Sequence, residues 1–290
     1  MSSTRISASI AARVRIPALS VLRAQNNYKT DKGAADCGTL ICCLEGTAWA
    51  IHWEPVGDGR VLAVSDDHRF GTDTVILSYF AAPQTAGEAV CDLGTGCGCI
   101  PFLLLNQPVA PRRILGVDKQ PDAIMLCRLS ADKNKLHGLL QFAEADWCFP
   151  KSIAAAGSFD RVICNPPYFQ DGSGRKSSNA AHAAARHGQL NTLTSLCAAA
   201  RYLLRYGGHF CLCHRPERLV DMFEALRQSC LEPKVVRFVQ RQSGSAPWLV
   251  LIDAVKCGRP TLTVSAPYVL EDENGVTETY KEIYGKYRNT

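Results

Sequence analysis

Several features that would assign the chain to a large class are missing. No apolar run is long enough to cross a bilayer, and the mean hydropathy of -0.05 suits a water-soluble fold. Fourteen cysteines are many for 290 residues, yet no two are spaced as the C-x-x-C pairs of a structural zinc site, so no metal is expected. The tightest groups are Cys42-Cys43, Cys97 with Cys99, and Cys211 and Cys213 with His214. The run Phe210-Cys211-Leu212-Cys213 reads as a buried strand in which cysteine acts as a small hydrophobe. Thiols in this number point to a reducing compartment. No internal repeat is evident, and a net charge of +5 is too small to imply a nucleic-acid partner by itself. The basic clusters Arg112-Arg113, Arg175-Lys176 and Arg237 with Arg241 read equally well as solvated faces.

Acids are absent from the first thirty residues, where Arg5, Arg13, Arg15, Arg23 and Lys29 stand among serine and alanine. That is the composition of an organelle transit peptide. The reading adopted is a disordered extension over residues 1–45 on a cytoplasmic protein, with mitochondrial import as the alternative. Residues 46–290 are then expected to form one domain, because strands and helices alternate from about residue 86 to 257.

What is present centres on Asn165-Pro166-Pro167-Tyr168, directly after the apolar run Asp160 to Cys164. The prolines fix φ and leave no competing N–H, so the Pro166 carbonyl points where the turn directs it. Asn165 and that carbonyl can accept from both hydrogens of a planar amino group, while the Tyr168 ring offers a stacking face. Taken alone, the tetrapeptide is equally a simple turn.

Upstream, Glu88 to Leu93 leads through Gly94-Thr95-Gly96-Cys97-Gly98 into the apolar stretch Cys99 to Leu105, a strand, glycine turn and helix. Alternate glycines let a backbone approach a ligand closely, and the helix start suits an anion. The dinucleotide pattern would need glycine where Cys99 stands, which disfavours a nicotinamide or flavin site. A second strand, Arg113 to Val117, ends in Asp118, an acid placed to accept ribose hydroxyls. A third, Leu139 to Ala145, ends in Asp146-Trp147, suited to an adenine amine and ring. Each acid alone is also an ordinary cap or turn residue, but their recurrence at successive strand ends favours a ligand site there.

These stretches resemble the class I S-adenosylmethionine-dependent methyltransferases. More closely, the chain resembles the bacterial family that methylates the exocyclic amine of the adenine beside the anticodon of valine tRNA. The matching segments are Arg69-Phe70-Gly71-Thr72-Asp73, Asp92 to Gly98, Cys164 to Phe169, Ala185-Arg186-His187, Thr277-Glu278-Thr279-Tyr280 and Ile283-Tyr284-Gly285. Where family members carry an acid after Ala-Arg-His, this chain has Gly188.

The resemblance implies an α/β, Rossmann-like fold: a seven-stranded, mostly parallel sheet with an antiparallel C-terminal strand pair and helices on both faces. It implies S-adenosylmethionine bound by Thr72, Asp73, Asp92, Gly94, Thr95, Gly96, Gly98, Asp118, Asp146, Trp147 and Asn165. Asn165, Pro166, Pro167 and Tyr168 would be catalytic, Tyr168, Phe169, Arg186 and His187 would meet substrate, and the partner would be a tRNA anticodon loop. Rival readings are a same-fold enzyme acting on an rRNA base, DNA adenine or a release-factor glutamine, and, further off, a protein that binds the cofactor or RNA without turnover.

The remaining elements are placed coarsely. Pro121 to Lys135 reads as a helix closed at Gly138, and residues 190–205 and 217–230 as two more. Gly207-Gly208 is expected to turn the chain into a strand from His209 to His214, and Pro233 to Arg241 with Trp248 to Val255 to form the antiparallel pair. Gln170 to Gly188 reads as a mobile flap carrying His182 and His187.

Overall fold

The run Ala89–Leu93 is apolar but for Asp92 and buried at every position, the mark of a strand covered on both faces. It is the centre of the sheet. The computed structural model describes residues 40–44, 47–167 and 192–285, with side chains from residue 50 onward. In chain order the elements are β1 (Leu40–Leu44), β2 (Thr47–Pro55), β3 (Val61–Val64), α1 (Thr72–Phe80), β4 (Ala89–Leu93), α2 (Cys99–Leu104), β5 (Arg113–Asp118), α3 (Pro121–Asn134), β6 (Leu140–Glu144), α4 (Pro150–Ile153) and β7 (Phe159–Cys164). A helix over 192–203, here α5, leads to β8 (Leu204–His214), α6 (Leu219–Gln228), β9 (Leu231–Gln242), β10 (Leu249–Lys256), β11 (Thr263–Asp272), β12 (Gly275–Val276) and α7 (Glu278–Tyr284).

Nine strands form the main sheet in the order β12-β11-β9-β10-β8-β7-β4-β5-β6. Strands β6, β5, β4, β7 and β8 run parallel, and β10 lies antiparallel between β8 and β9. That stretch from β6 to β9 is the expected seven-stranded core with its antiparallel pair. The order reverses at β4, which has β5 on one side and β7 on the other, so a crevice opens outside their carboxyl ends. One face packs Ile76, Leu77, Phe102, Ile163 and Leu251 together, and the other Phe159, Leu196, Phe210, Leu226 and Ile252.

Three departures from the sequence reading have local causes. β11 and β12 extend the sheet beyond seven strands; β11 pairs parallel with β9 through a register shift between Ser265 and Tyr268 that brackets Pro267. Most of β11 is exposed or half-buried, so no alternation marks it, and a proline is tolerated at such an irregularity. β8 begins at Leu204 rather than His209, carrying Gly207 at φ +70° inside a bulge opposite Phe159 and Arg161. A Cβ on Gly208 would meet two carbonyl oxygens at 3.0 Å. α3 closes at Lys135, which adopts φ 58°, and not at Gly138.

A separate sheet, β1-β2-β3, lies at the amino-terminal side, and the boundary expected at residue 45 falls between β1 and β2, which pair. Its β3 edge is satisfied by side chains of α3: Ala63 N–H donates to Ser130 Oγ at 2.9 Å, and Val61 exchanges two hydrogen bonds with the Asn134 amide at 3.0 and 2.7 Å. Backbone groups otherwise left open are thereby closed without a neighbouring strand.

Near the opposite end of the sheet from the crevice, Arg161 Nε donates to Glu88 Oε2 at 2.9 Å in a pair whose side chains are 3% and 10% exposed. Glu88 Oε1 also accepts the Gln84 and Thr85 N–H groups at 3.1 Å, so one carboxylate ties the α1–β4 connection to β7. Removing one member of a buried pair strands the other charge. Glu88→Ala is therefore expected to lower unfolding free energy by about 3–5 kcal/mol, read by urea denaturation; a loss below about 1 kcal/mol, the range of exposed pairs, would contradict that role.

Candidate active site

The glycine turn is folded back over the end of β5. Gly94 and Thr95 N–H both donate to the Val117 carbonyl, at 2.8 and 2.9 Å. Gly94, Gly96 and Gly98 take φ of 73°, 54° and 91°, which other residues adopt only with strain. A Cβ on Gly98 would lie 3.0 Å from Cys127 Sγ and one on Gly94 3.2 Å from Trp147 Cζ3, whereas one on Gly96 would enter open space. The turn is thus backed by packed side chains and open at Gly96.

Two aspartates hold this turn differently. Asp118 Oδ2 accepts Gly96 N–H at 2.9 Å and Oδ1 accepts Gln120 N–H at 3.0 Å, which orients a half-buried carboxylate at the end of β5. Asp92 is enclosed; its Oδ2 accepts from Thr95 Oγ1 at 2.6 Å, and its buried Oδ1 has no partner. Burial, opposed by the Thr95 bond and reinforced by the Asp118 charge, pushes the Asp92 carboxyl up to about 7. Asp92 therefore shapes the turn from beneath. At the end of β6, Asp146 Oδ1 accepts Cys148 N–H at 2.8 Å, and the half-buried Trp147 ring stands behind Gly94.

At the end of β7, Asn165 Nδ2 donates to Thr74 Oγ1 at 2.9 Å and lies 3.2 Å from Asp73 Oδ2. A carboxylate only accepts, so the amide nitrogen faces Asp73 and the amide oxygen faces Cys213, whose Sγ donates to it at 3.2 Å. A thiol is a weak donor that a stronger N–H displaces. Pro166 is buried and Pro167 exposed. Asp73, grouped with Thr72 at the cofactor from the sequence, thus meets Asn165, while Thr72 lines a cavity with Trp248 and Tyr280. Thr74 and Cys213 are not among the expected site residues: Thr74 directly follows the segment Arg69 to Asp73, and Cys213 reads as a small hydrophobe in a buried strand. Tyr168, Phe169, His182, Arg186, His187 and Gly188 lie outside the described residues.

Beside the prolines stands His214, whose ring burial, with Arg218 and Arg215 adding to it, lowers to about 4, so it is neutral at physiological pH. Burial raises the thiols of Cys91, Cys99, Cys127 and Cys164 well above their ordinary range and Cys97 and Cys197 to about 12, which makes them inert packing groups. Among the described residues no group of three His, Cys, Asp or Glu is placed to hold a metal, and no helix is long and apolar enough to cross a membrane.

Residues 69–230, more than half of the chain, match the family described as methyltransferase small domain. The chain belongs to that family. Among its relatives, a tRNA1(Val) (adenine(37)-N6)-methyltransferase of Shewanella halifaxensis is 30% identical over 56% of this chain and 65% of its own length. A release factor glutamine methyltransferase of Rhodospirillum rubrum is 37% identical over 35% of this chain and 30% of its own length. The chain thus spans less than two thirds of either relative. A predicted O-methyltransferase from Agrobacterium tumefaciens, known from its crystal structure, superposes with a TM-score of 0.60 at 17% identity over 74% of this chain and 96% of its own. The fold is that of the class I methyltransferases.

S-adenosylmethionine is the cofactor of this methyltransferase family member. The residues present are compatible with it: the opening at Gly96 would take its amino-acid portion, the oriented Asp118 carboxylate its ribose, and the turn at Asp146 and Trp147 its adenine.

The enclosed Asp92 makes a pH test. Its folded pKa exceeds the unfolded one, so the folded chain binds the proton more tightly; that stabilisation is complete below about pH 4 and is lost as pH rises through 7. In the cofactor-free protein, Asp92→Asn is expected to gain stability relative to wild type as pH rises from about 4 to 7, by up to about 4 kcal/mol in all, three pH units at about 1.4 each, with no further gain above pH 7. A difference that stays constant with pH would show that Asp92 titrates normally.

Proposed function

We propose that the chain is an S-adenosylmethionine-dependent N6-adenine methyltransferase acting on tRNA, at the adenine beside the anticodon of valine tRNA, through a methyltransferase domain spanning residues 46–290. The observation that carries this reading is the Asn165 amide, held by Asp73 and Thr74 at the crevice beside the glycine turn. Likeness to enzymes named for adenine 37 of tRNA1(Val) favours that substrate. The high cysteine count, with most described cysteines buried as small hydrophobes, favours a reducing, cytoplasmic setting.

The chemistry needed is modest. An amine conjugated to a ring is a poor nucleophile, and S-adenosylmethionine supplies an electrophilic methyl group in line with it. Asn165 Oδ1 and the Pro166 carbonyl accept the two amine hydrogens, turn the lone pair out of conjugation and stabilise the positive charge that grows on nitrogen. The Asp73 carboxylate keeps the amide from rotating its nitrogen toward the base. Tyr168, as read from the motif, stacks on the ring. An anticodon loop lowers the cost of presenting the base, since unpaired nucleotides leave the stack readily.

Asn165→Ala is expected to slow single-turnover methylation by roughly 10²–10³, by analogy with losing one preorganised hydrogen-bonding partner. An unchanged rate would remove Asn165 from the mechanism. Tyr168→Phe should be nearly silent and Tyr168→Ala should weaken base positioning; inactivity of the Phe variant would assign the role to the hydroxyl.

A second reading, methylation of a protein glutamine, has a specific support in the 37% identity to the release factor enzyme. An amide and an adenine amine present the same planar NH₂. Labelled donor incubated separately with tRNA, rRNA, DNA and release factor separates the readings. Nucleoside mass spectrometry of tRNA from cells with and without the gene should show N6-methyladenosine missing from one tRNA. Intact tRNA modification together with unmethylated release factor would overturn the tRNA assignment.

A further inference from the structure

The carboxyl-terminal segment from Thr277 to Gly285 has no part in the chemistry above, yet it builds a cavity beside it. Thr277 caps α7, accepting Tyr280 N–H at 3.1 Å while donating to the Val269 carbonyl at 2.6 Å. Tyr79 Oη donates to Glu282 Oε2 at 3.1 Å and ties α7 to α1. On α7, Tyr280 and Tyr284 stack with ring centres 4.3 Å apart and planes 18° from parallel. Together with Thr72, Arg241, Trp248, Leu270 and Glu271 they line a cavity of about 410 Å³.

Its place is informative. Thr72 opens α1, and the next two residues are those that hold Asn165, so the cavity and the amide share the first turn of α1. Its walls are aromatic and its rim carries a guanidinium. Aromatic faces beside arginine suit unpaired bases, which stack with little regard to identity. The rim pair, Arg241 Nε to Glu271 Oε2 at 3.1 Å, has side chains 76% and 36% exposed. Such a pair is weak and exchanges readily for another anion.

We propose that this cavity seats an unpaired nucleobase adjoining the methylated one, with Arg241 leaving Glu271 for the phosphate between them. The proposal rests on the RNA reading of the Asn165 site. It makes Trp248 and Tyr280 recognition residues and gives α7 a function, since it holds the stack against α1.

The test uses the full chain and a fluorescein-labelled anticodon stem-loop RNA, bound by anisotropy, with abasic substitutions placed in turn on either side of the target adenine. In the wild type, one abasic position should weaken binding about tenfold. Trp248→Leu should weaken the intact RNA by a similar factor and then be indifferent to that abasic position, a coupling that a merely structural role would not produce. Arg241→Gln, at an exposed rim where folding is not at stake, should raise KM with kcat unchanged and reduce the salt slope of binding by about one. Normal methylation of the RNA, with Arg241→Gln matching wild type in KM and salt slope and no abasic position coupled to Trp248, would overturn the cavity assignment alone. Failure of the wild type to bind or methylate the RNA while it methylates release factor would overturn the functional reading, and this proposal with it.

Discussion

Hydrogen bonds between the Asn165 amide and the first turn of α1 hold together segments that are far apart in the chain, and most of the site follows from that union. An asparagine amide has two nearly identical ends, and its torsion costs little to turn. The Asp73 carboxylate removes that symmetry because it repels one end and accepts from the other. Thr74 and Cys213 then set the tilt. Groups arranged in this way need no rearrangement when charge develops beside them, which is where preorganised polar contacts are most effective.

The remaining contributions come from three parallel strands that end at one level. β4 delivers the glycine turn, β5 the aspartate that grips it, and β7 the asparagine, each within a strand spacing of the next. The strands stay level because their other ends are also fixed. Glu88, just before β4, and Arg161, early in β7, form a buried pair that also gathers the connection from α1. The same helix therefore touches the site at its amino end and the anchoring pair through the loop at its carboxyl end. Burial treats the acids and thiols near the turn unequally: Asp118 keeps contact with solvent and backbone donors, whereas Asp92 and the cysteines are enclosed and resist ionisation.

The elements legible from sequence were those whose local pattern and burial agree. β4, β5 and β7 are short apolar runs followed by turn residues, and the positive φ of Gly94, Gly96 and Gly98 is what their glycines require. Elements that were missed or misplaced depend on partners elsewhere. β3 has its edge closed by Ser130 and Asn134, polar residues of a helix that no strand pattern reveals. β11 is supported by pairing with β9 more than by burial, and β8 runs through two glycines because a bulge needs them. Lys135 supplies a left-handed helix end usually taken by glycine, so the glycine three residues later was a false marker.

Local chemistry in the sequence determined the class of fold and the types of group at the site, since backbone freedom at glycine, fixed φ at proline and apolar periodicity act over a few residues. Which groups meet was decided only in three dimensions. Asp73 against Asn165, Thr72 facing a cavity with Trp248 and Tyr280, and Asp92 shut away from solvent all arise from the crossing of distant segments. Hydrogen-bond direction and the loss of hydration depend on what packs alongside, and a linear pattern carries neither.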